Sequence, residues 1–545
     1  MKIINKVLFT TVLISLFFIA DIFAQLAPVD SVIEGNINTS AFLTKNKRYL
    51  LRGFVNVNPP ATLTIEAGTI IYGEKSSKGT LIINRGARLI ANGTAQSPIV
   101  FTSQQPIGQR GPGDWGGIII AGNATINVPG GTAIIEGGTG TVYGGGANPN
   151  DNDNSGILRY VRIEFPGIAF LPDNEINGLT LGGVGRGTTI EYVQVSFCGD
   201  DSFEWFGGTV DAKYLISFKG IDDDFDMDLG YRGNLQFGFG LRDPNLGDIS
   251  GSNGFEIDND GTGSFNVPRT LPVISNFTVV GPMPDTSTTG YNPNFRRGAH
   301  LRRATQSSIY NSIVMGFPTG LLLDGSAVAN AATGDTLQIR NSIWAGLRVN
   351  NGITTNVSGF NATNWFNTAT YGNRTFVQPS GVGLTAPFNL TNPNPLPATG
   401  SAALSGASFA NPRLGSFFTQ TTYVGAFGTT RWDLPWANYD PQNTNYTSVK
   451  EDLIDVNPTD FYLSQNYPNP FNPSTKIMYS VAKPSKVKLY VTNVIGQVVE
   501  VLVDEFKDAG TYELTFNAEN LATGLYIYTL EADNVKLSKK MTLVK

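Results

Sequence analysis

The chain has 545 residues, of which 15% are charged, and a formal net charge of −6. That length holds several average domains or one long repeat array with small modules, and the weak negative charge excludes a general pull toward nucleic acid or anionic membranes. With 62 Gly, 30 Pro and no long amphipathic helical pattern, the composition excludes a helical protein and predicts an all-β one, rich in turns between short strands.

The N-terminus predicts an export signal. Lys2 and Lys6 give a basic start, an apolar run follows over 7–20, and Ile22-Phe23-Ala24 forms a cleavage site between Ala24 and Gln25. The run is too short and wrongly flanked for a membrane span, so the mature protein is expected to carry no transmembrane segment. No cysteine follows the run, which argues against a lipid anchor. The single cysteine, Cys198, rules out an internal disulfide and a multi-cysteine metal site, and its setting SFCG reads as a buried strand.

Repeats begin directly afterwards. TLTIEAGTIIYG (62–73) recurs as TLIINRGARLIA (80–91), 18 residues on, with alternating apolar positions and a glycine at the bend. IEYVQVSF (190–197) and AKYLISFK (212–219) place Tyr192 and Tyr214 22 residues apart, and DDSFEW (200–205) and DDDFDM (222–227) share that offset. A second template gives ISNFTVVG (274–281), IYNSIVMG (309–316) and IRNSIWAG (339–346), its wider spacing predicting loops over 282–295 and 326–334. Such a pattern describes a parallel β-helix, and Asn276, Asn311 and Asn341 are expected to stack as a ladder of mutually bonded amides. A sandwich or propeller would not repeat its side-chain order at a fixed interval. WDLPW (432–436) reads as a closing cap.

The predicted organisation is a signal peptide over 1–24, a β-helix passenger over 25–436, a polar linker over 437–460, and a small β-sandwich over 461–545. The last module alternates turn formers with apolar anchors in NYPNPFNPST (466–475), and turns again at Ile495-Gly496-Gln497. Its motifs LSQNYPNPFNPSTKIMYSV (463–481), KLYVTNVIGQVVEVL (488–502), AGTYELTF (509–516), GLYIYTLEAD (524–533) and the final KKMTLVK resemble the type IX secretion C-terminal sorting domain of Bacteroidetes-type bacteria. The resemblance singles out Asn466, Pro468, Pro470, Phe471, Pro473, Gly496, Gly524 and Lys545 as sorting-signal positions. It implies an Ig-like fold and passage through the Sec translocon and then the type IX outer-membrane translocon. It further implies removal by a sortase, attachment to surface lipopolysaccharide, and residence at the cell surface or outside the cell. The solenoid, through GTTIEYVQVSFCGDDSFEWFGGTV (187–210), DDDFDMDLGYRGNLQFGF (222–239) and YVGAFGTTRWDLPW (423–436), resembles right-handed parallel β-helix proteins of unassigned activity, which supply no catalytic residues to carry over.

One constellation could carry chemistry. The 22-residue register stacks Asp200 on Asp222, Asp201 on Asp223 and Glu204 on Asp226, and SNGFEID (252–258) continues with Phe255-Glu256. Carboxylates one strand apart, ~4.8 Å, repel by about 1 kcal/mol in water and ~3.5 at a dielectric of 20. Solvation, shared protons, basic partners or a cation must relieve that repulsion. Calcium is the natural cation, with Asp200, Asp201, Asp222, Asp223 and Asp226 as its ligands, although the sequence contains no complete EF-hand or nonapeptide motif. Two functions stay open. The first is a non-enzymatic surface protein binding glycan or matrix, with Trp205, Tyr231, Arg297 and Arg302 as ligand contacts. Its rival is a calcium-assisted polysaccharide lyase or glycoside hydrolase using Asp201, Asp223, Glu204 and Asp226. His300, the only histidine, reads as a structural residue, and Arg296, Arg297, Arg302 and Arg303 read equally as counter-charges to the acids.

Overall fold

The computed structural model describes residues 26–545 apart from 172–173, 349–351, 447–449, 456–457 and 519–520. The expected signal peptide and its Ala24–Gln25 cleavage site lie outside the described residues. No helix among the described residues is long and apolar enough to cross a membrane.

Short strands with alternating burial stack into a parallel β-helix. In its central coils each turn supplies one short strand and one long one. Phe203–Phe206 pairs with Phe225–Asp228 and that with Phe255–Ile257, while Thr189–Ser196, Ala212–Phe218, Asn234–Leu241 and Val273–Val280 pair beside them. Among the described residues, 26 strands join in this one parallel system. Alternation fixes the faces: Phe203, Trp205, Phe225, Met227, Phe255 and Ile257 point into a dry core, so Glu204, Asp226 and Glu256 between them point outward. Inside, Phe203, Phe225 and Phe255 stack at 5.6 and 5.5 Å between ring centroids. Each such burial contributes about 2–3 kcal/mol.

The 22-residue period is one coil, and Tyr192 stacks on Tyr214 at 4.2 Å. The 18-residue echo near the start is not a rung: Thr62 pairs with Arg88 and Phe54 with Thr80. It repeats a strand–bend–strand unit around the coil rather than along the axis. Each long strand bends at one left-handed residue, and these residues form a column: Tyr160, Tyr192, Tyr214, Phe237, Asn276, Asn311 and Asn341, with φ between +48° and +63°. Asparagine tolerates this conformation, and ring stacking offsets its cost at the tyrosines.

Four expectations are corrected here. The asparagines stand in one column but are not a ladder of amides bonded to one another. Asn276 donates to Thr421 Oγ1 and the Tyr423 carbonyl, Asn311 exchanges two bonds with Ser408, and Asn341 donates to the Gly406 carbonyl. Their partners belong to a strap, residues 405–446, that runs back along the solenoid. For the same reason Trp432 and Trp436 do not close an end. Their rings meet Tyr214 and Tyr160 edge-on, at 5.2 and 6.0 Å. Residues 437–446 do not hang free as a linker: Asn438 pairs with Gln194, and Arg110 donates to the carbonyls of Pro441 and Thr444. Finally, the predicted loop over 326–334 contains a helix, Ser326–Thr333, that buries Val328 and three alanines.

Among the described residues the C-terminal module has two four-stranded antiparallel sheets. One orders Lys450–Asp455, Gly510–Asn517, Ser474–Val481 and Tyr462–Leu463; the other orders Val498–Lys507, Ser485–Thr492, Gly524–Ala532 and Val535–Leu543. Phe471 packs in their core and exchanges backbone bonds with Thr542 and Val544. Buried Asn466 donates through its amide to Thr475 Oγ1 at 2.9 Å, Gly496 turns a hairpin at φ +83°, and Gly524 opens a strand. Lys545 is exposed, as are Pro468 and Pro470.

Candidate metal centre

The outward residues of the short strands form one column across successive coils: Thr180, Glu204, Asp226, Glu256, His300 and Leu322. Three of its members are carboxylates. A second acidic column rises at the preceding corner. Asp201 accepts the backbone N–H of Asp223 at 2.7 Å, and Asp223 accepts the backbone N–H of Asn253. Each of these acids therefore extends the parallel ladder with one oxygen. Asp200 and Asp222 lie beside them, Asp222 receiving the Ser250 hydroxyl at 2.6 Å.

Together the columns bring the acids into three overlapping triads: Asp200, Asp201 and Asp222; Asp201, Glu204 and Asp226; Asp223, Asp226 and Glu256. Within each triad one oxygen from every residue lies within 4.8 Å of the others. Oxygens bound to one calcium at 2.3–2.6 Å can be no farther apart than about 4.6–5.2 Å, so these hard, oxygen-only donor sets fit that ion.

Burial, and then the neighbouring carboxylates, push the carboxyls of Asp200, Asp201, Glu204, Asp223 and Asp226 well above the ordinary range. Burial raises Asp222 to about 6, the Ser250 hydrogen bond working against it. Among the described residues none of these six acids has a lysine or arginine within 4.0 Å. Charge relief is concentrated at the next coils. Arg302 reaches Glu256 and, at 2.8 Å, Asp258, while His300 stands between Glu256 (3.3 Å) and Asp324 (2.8 Å). Burial opposes ionisation of Glu256, but His300 and Arg302 outweigh it and hold that carboxyl below its usual value.

The sequence register reached Glu256 without placing it among the ligands; it completes the third triad 30 residues after Asp226, its coil lengthened by an inserted loop over 242–253. Other groups escaped sequence reasoning. From the 122–155 insertion comes Glu136, whose carboxylate shares the amide nitrogen of Asn177 with Glu204. No repeat signal could place it there. Arg242 and Asp224 form a fully buried ion pair at 3.1 Å beneath the corner. Three buried oxygens border the acids without a hydrogen-bond partner among the described residues: Thr180 Oγ1, one rung from Glu204, Asp228 Oδ1, on the strand of Asp226, and Asn253 Oδ1.

Two expected ligand contacts are corrected. Trp205 and Tyr231 are wholly buried and stack on each other inside the solenoid, Tyr231 donating its hydroxyl to the Val210 carbonyl, so neither ring can meet a ligand. Arg302 is engaged by the acids. Arg297 is half-buried on the strand of His300, and among the described residues its side chain makes no hydrogen bond or ion pair. Cys198 is buried, its thiol pushed up by burial.

Two family models match the chain: a pectate-lyase-like β-helix domain over residues 35–383 and a secretion system C-terminal sorting domain over residues 465–544. No curated protein matches. Among solved structures, the enzymatically active domain of tailspike protein 2 of bacteriophage CBA120 is similar at 12% identity and a TM-score of 0.22, over 91% of this chain and 72% of its own.

Proposed function

The chain belongs to the pectate-lyase-like β-helix domain family, and from the geometry of its acidic triads we propose that it is a surface protein whose acidic columns hold calcium and whose outer face binds glycan. Export to the cell surface or the extracellular space follows from its type IX sorting domain. Passage through Sec, sortase processing and attachment to surface lipopolysaccharide complete this route. The passenger is assigned to residues 25–436 with the strap that continues it, and the sorting module to 461–545 with the strand Lys450–Asp455 that joins its sheet.

One observation carries the reading: six buried or half-buried acids, none with a lysine or arginine within 4.0 Å among the described residues, sit with Glu256 in overlapping triads of calcium-sized spacing. Asp200, Asp201, Glu204, Asp222, Asp223, Asp226 and Glu256 would hold the cation. When bound, it supplies positive charge that neutralises the column and attracts sugar hydroxyl and carboxylate oxygens. Arg297 adds a fixed cation beside it. The contacts of His300 with Glu256 and Asp324, and the ion pair of Arg302 with Glu256, favour binding over catalysis, since both groups are occupied in holding Glu256.

A second reading, cleavage of the bound polysaccharide, draws on the close approach of Asp201, Glu204 and Asp226. Incubating the protein with pectin, alginate and other algal or host glycans, with and without calcium, separates the two. Calcium-dependent retention without product release supports the binding protein. Product release that Asp201→Asn or Asp223→Asn abolishes would replace it with the enzyme.

A further inference from the structure

Asn253 occupies a place in the acidic corner column that its sequence neighbours do not explain. The two preceding coils put Asp201 and Asp223 there, each accepting the next backbone N–H. Asn253 is the third member, 1% exposed, with its backbone carbonyl clamped by Arg242. Its side-chain amide lies between Asp223 and Glu256, two acids of one triad. The amide nitrogen has two hydrogens and three acceptors around it: Glu256 at 3.0 Å, the Gly251 carbonyl at 3.0 Å and Asp223 at 3.4 Å. The amide oxygen is buried and has no donor among the described residues.

A carboxamide presents a donor end and an acceptor end of nearly the same shape, and a half-turn about its terminal torsion exchanges them. Facing two carboxylates alone, the nitrogen must point inward, because the oxygen would add a third acceptor to a site that lacks a donor. With a cation among the carboxylates the preference reverses. The oxygen then turns inward as a neutral ligand, and the Gly251 carbonyl loses its donor and faces the same charge. An aspartate here would repel its neighbours whenever the site lacked metal, and an apolar residue could serve neither state.

We infer that Asn253 is a switchable ligand of the calcium site, its amide nitrogen bridging Asp223 and Glu256 without the ion and its amide oxygen binding the ion when it is present. This rests on the calcium reading above. The amide keeps the columns closed in calcium-poor surroundings and sets the affinity at which calcium enters.

Calcium titration by calorimetry of the full-length protein, with the melting temperature of the metal-free form as a second readout, tests the inference on Asn253→Leu and Asn253→Asp. Asn253→Leu should weaken calcium binding at least tenfold and lower the metal-free melting temperature. Asn253→Asp should lower that temperature at pH 8 and tighten calcium binding about tenfold. Parent-like affinity in a folded Asn253→Leu protein, or no tightening in Asn253→Asp, would overturn the switch. If Asn253→Leu does not fold, the aspartate variant decides alone. Failure of the parent to bind calcium would instead overturn the calcium reading, before any variant is compared.

Discussion

Asp201 accepts the backbone N–H of Asp223 at 2.7 Å, one coil along the solenoid. The acid is thus part of the ladder that builds the fold and part of the charge that strains it, and the two roles come apart by substitution. Asp223 does the same for Asn253 and belongs to one triad, with Asp226 and Glu256, whereas Asp201 belongs to two, so substituting Asp223 perturbs a single triad.

Asp223→Asn keeps an oxygen for the Asn253 N–H and removes one charge. Denaturant melts at pH 8 in chelator should show it more stable than the parent by about 1–3 kcal/mol, the repulsion of one carboxylate neighbour at that separation. Calcium should stabilise it less than the parent. Asp223→Ala loses the ladder bond as well and should be less stable than Asp223→Asn under both conditions.

The pH dependence has a definite sign. A carboxyl whose pKa is raised on folding takes up protons that the unfolded chain lacks, so stability falls as pH rises between the two values. For Asp222 that window runs from its ordinary 3.8 to about 6, and Asp201, Asp223 and Asp226, also raised by burial and by neighbouring carboxylates, act with the same sign. Glu256 and Asp324, held low, act oppositely but only below about pH 4.5. Metal-free protein should therefore melt several degrees higher at pH 5 than at pH 8, and calcium should erase most of that difference.

The Arg242–Asp224 pair is fully buried, and Ser217 also donates to Asp224 at 2.5 Å. Removing one member strands the other charge, which costs about 3–5 kcal/mol. Arg242→Met should lose that much in denaturant melts, whereas Arg242→Met combined with Asp224→Leu should recover part of it.

The strap offers a separable prediction. Gln236 donates to the Thr419 carbonyl at 2.7 Å and accepts its N–H at 2.8 Å, so one buried side chain pairs with the strap as a strand would. Gln236→Ala should cost about 1–3 kcal/mol and speed hydrogen exchange at Thr419, leaving the ladder of Ala212–Phe218 protected.

Much of this was legible in the sequence because a parallel β-helix writes one coil per period. The offset between Tyr192 and Tyr214 gave the rung, and with it the pairing of Glu204 with Asp226. Legibility ended where partners come from distant sequence. Gln194 is bonded by Asn438 and Glu204 is approached by Glu136, contacts that no periodicity encodes. Trp205 was misplaced for a simpler reason. It lies beside acids in sequence, but strand alternation turns it to the opposite face from Glu204. Glu256 was visible as part of a third coil, yet only the fold shows that its lengthened coil brings it level with Asp226.

Crystals grown with calcium and measured for anomalous scattering test the central claim most directly. The account predicts a peak bounded by Asp223, Asp226 and Glu256 or by Asp201, Glu204 and Asp226, about 2.4 Å from their oxygens, and absent from crystals grown in chelator. A map from calcium-grown crystals with these carboxylates ordered and no anomalous peak between them would contradict it.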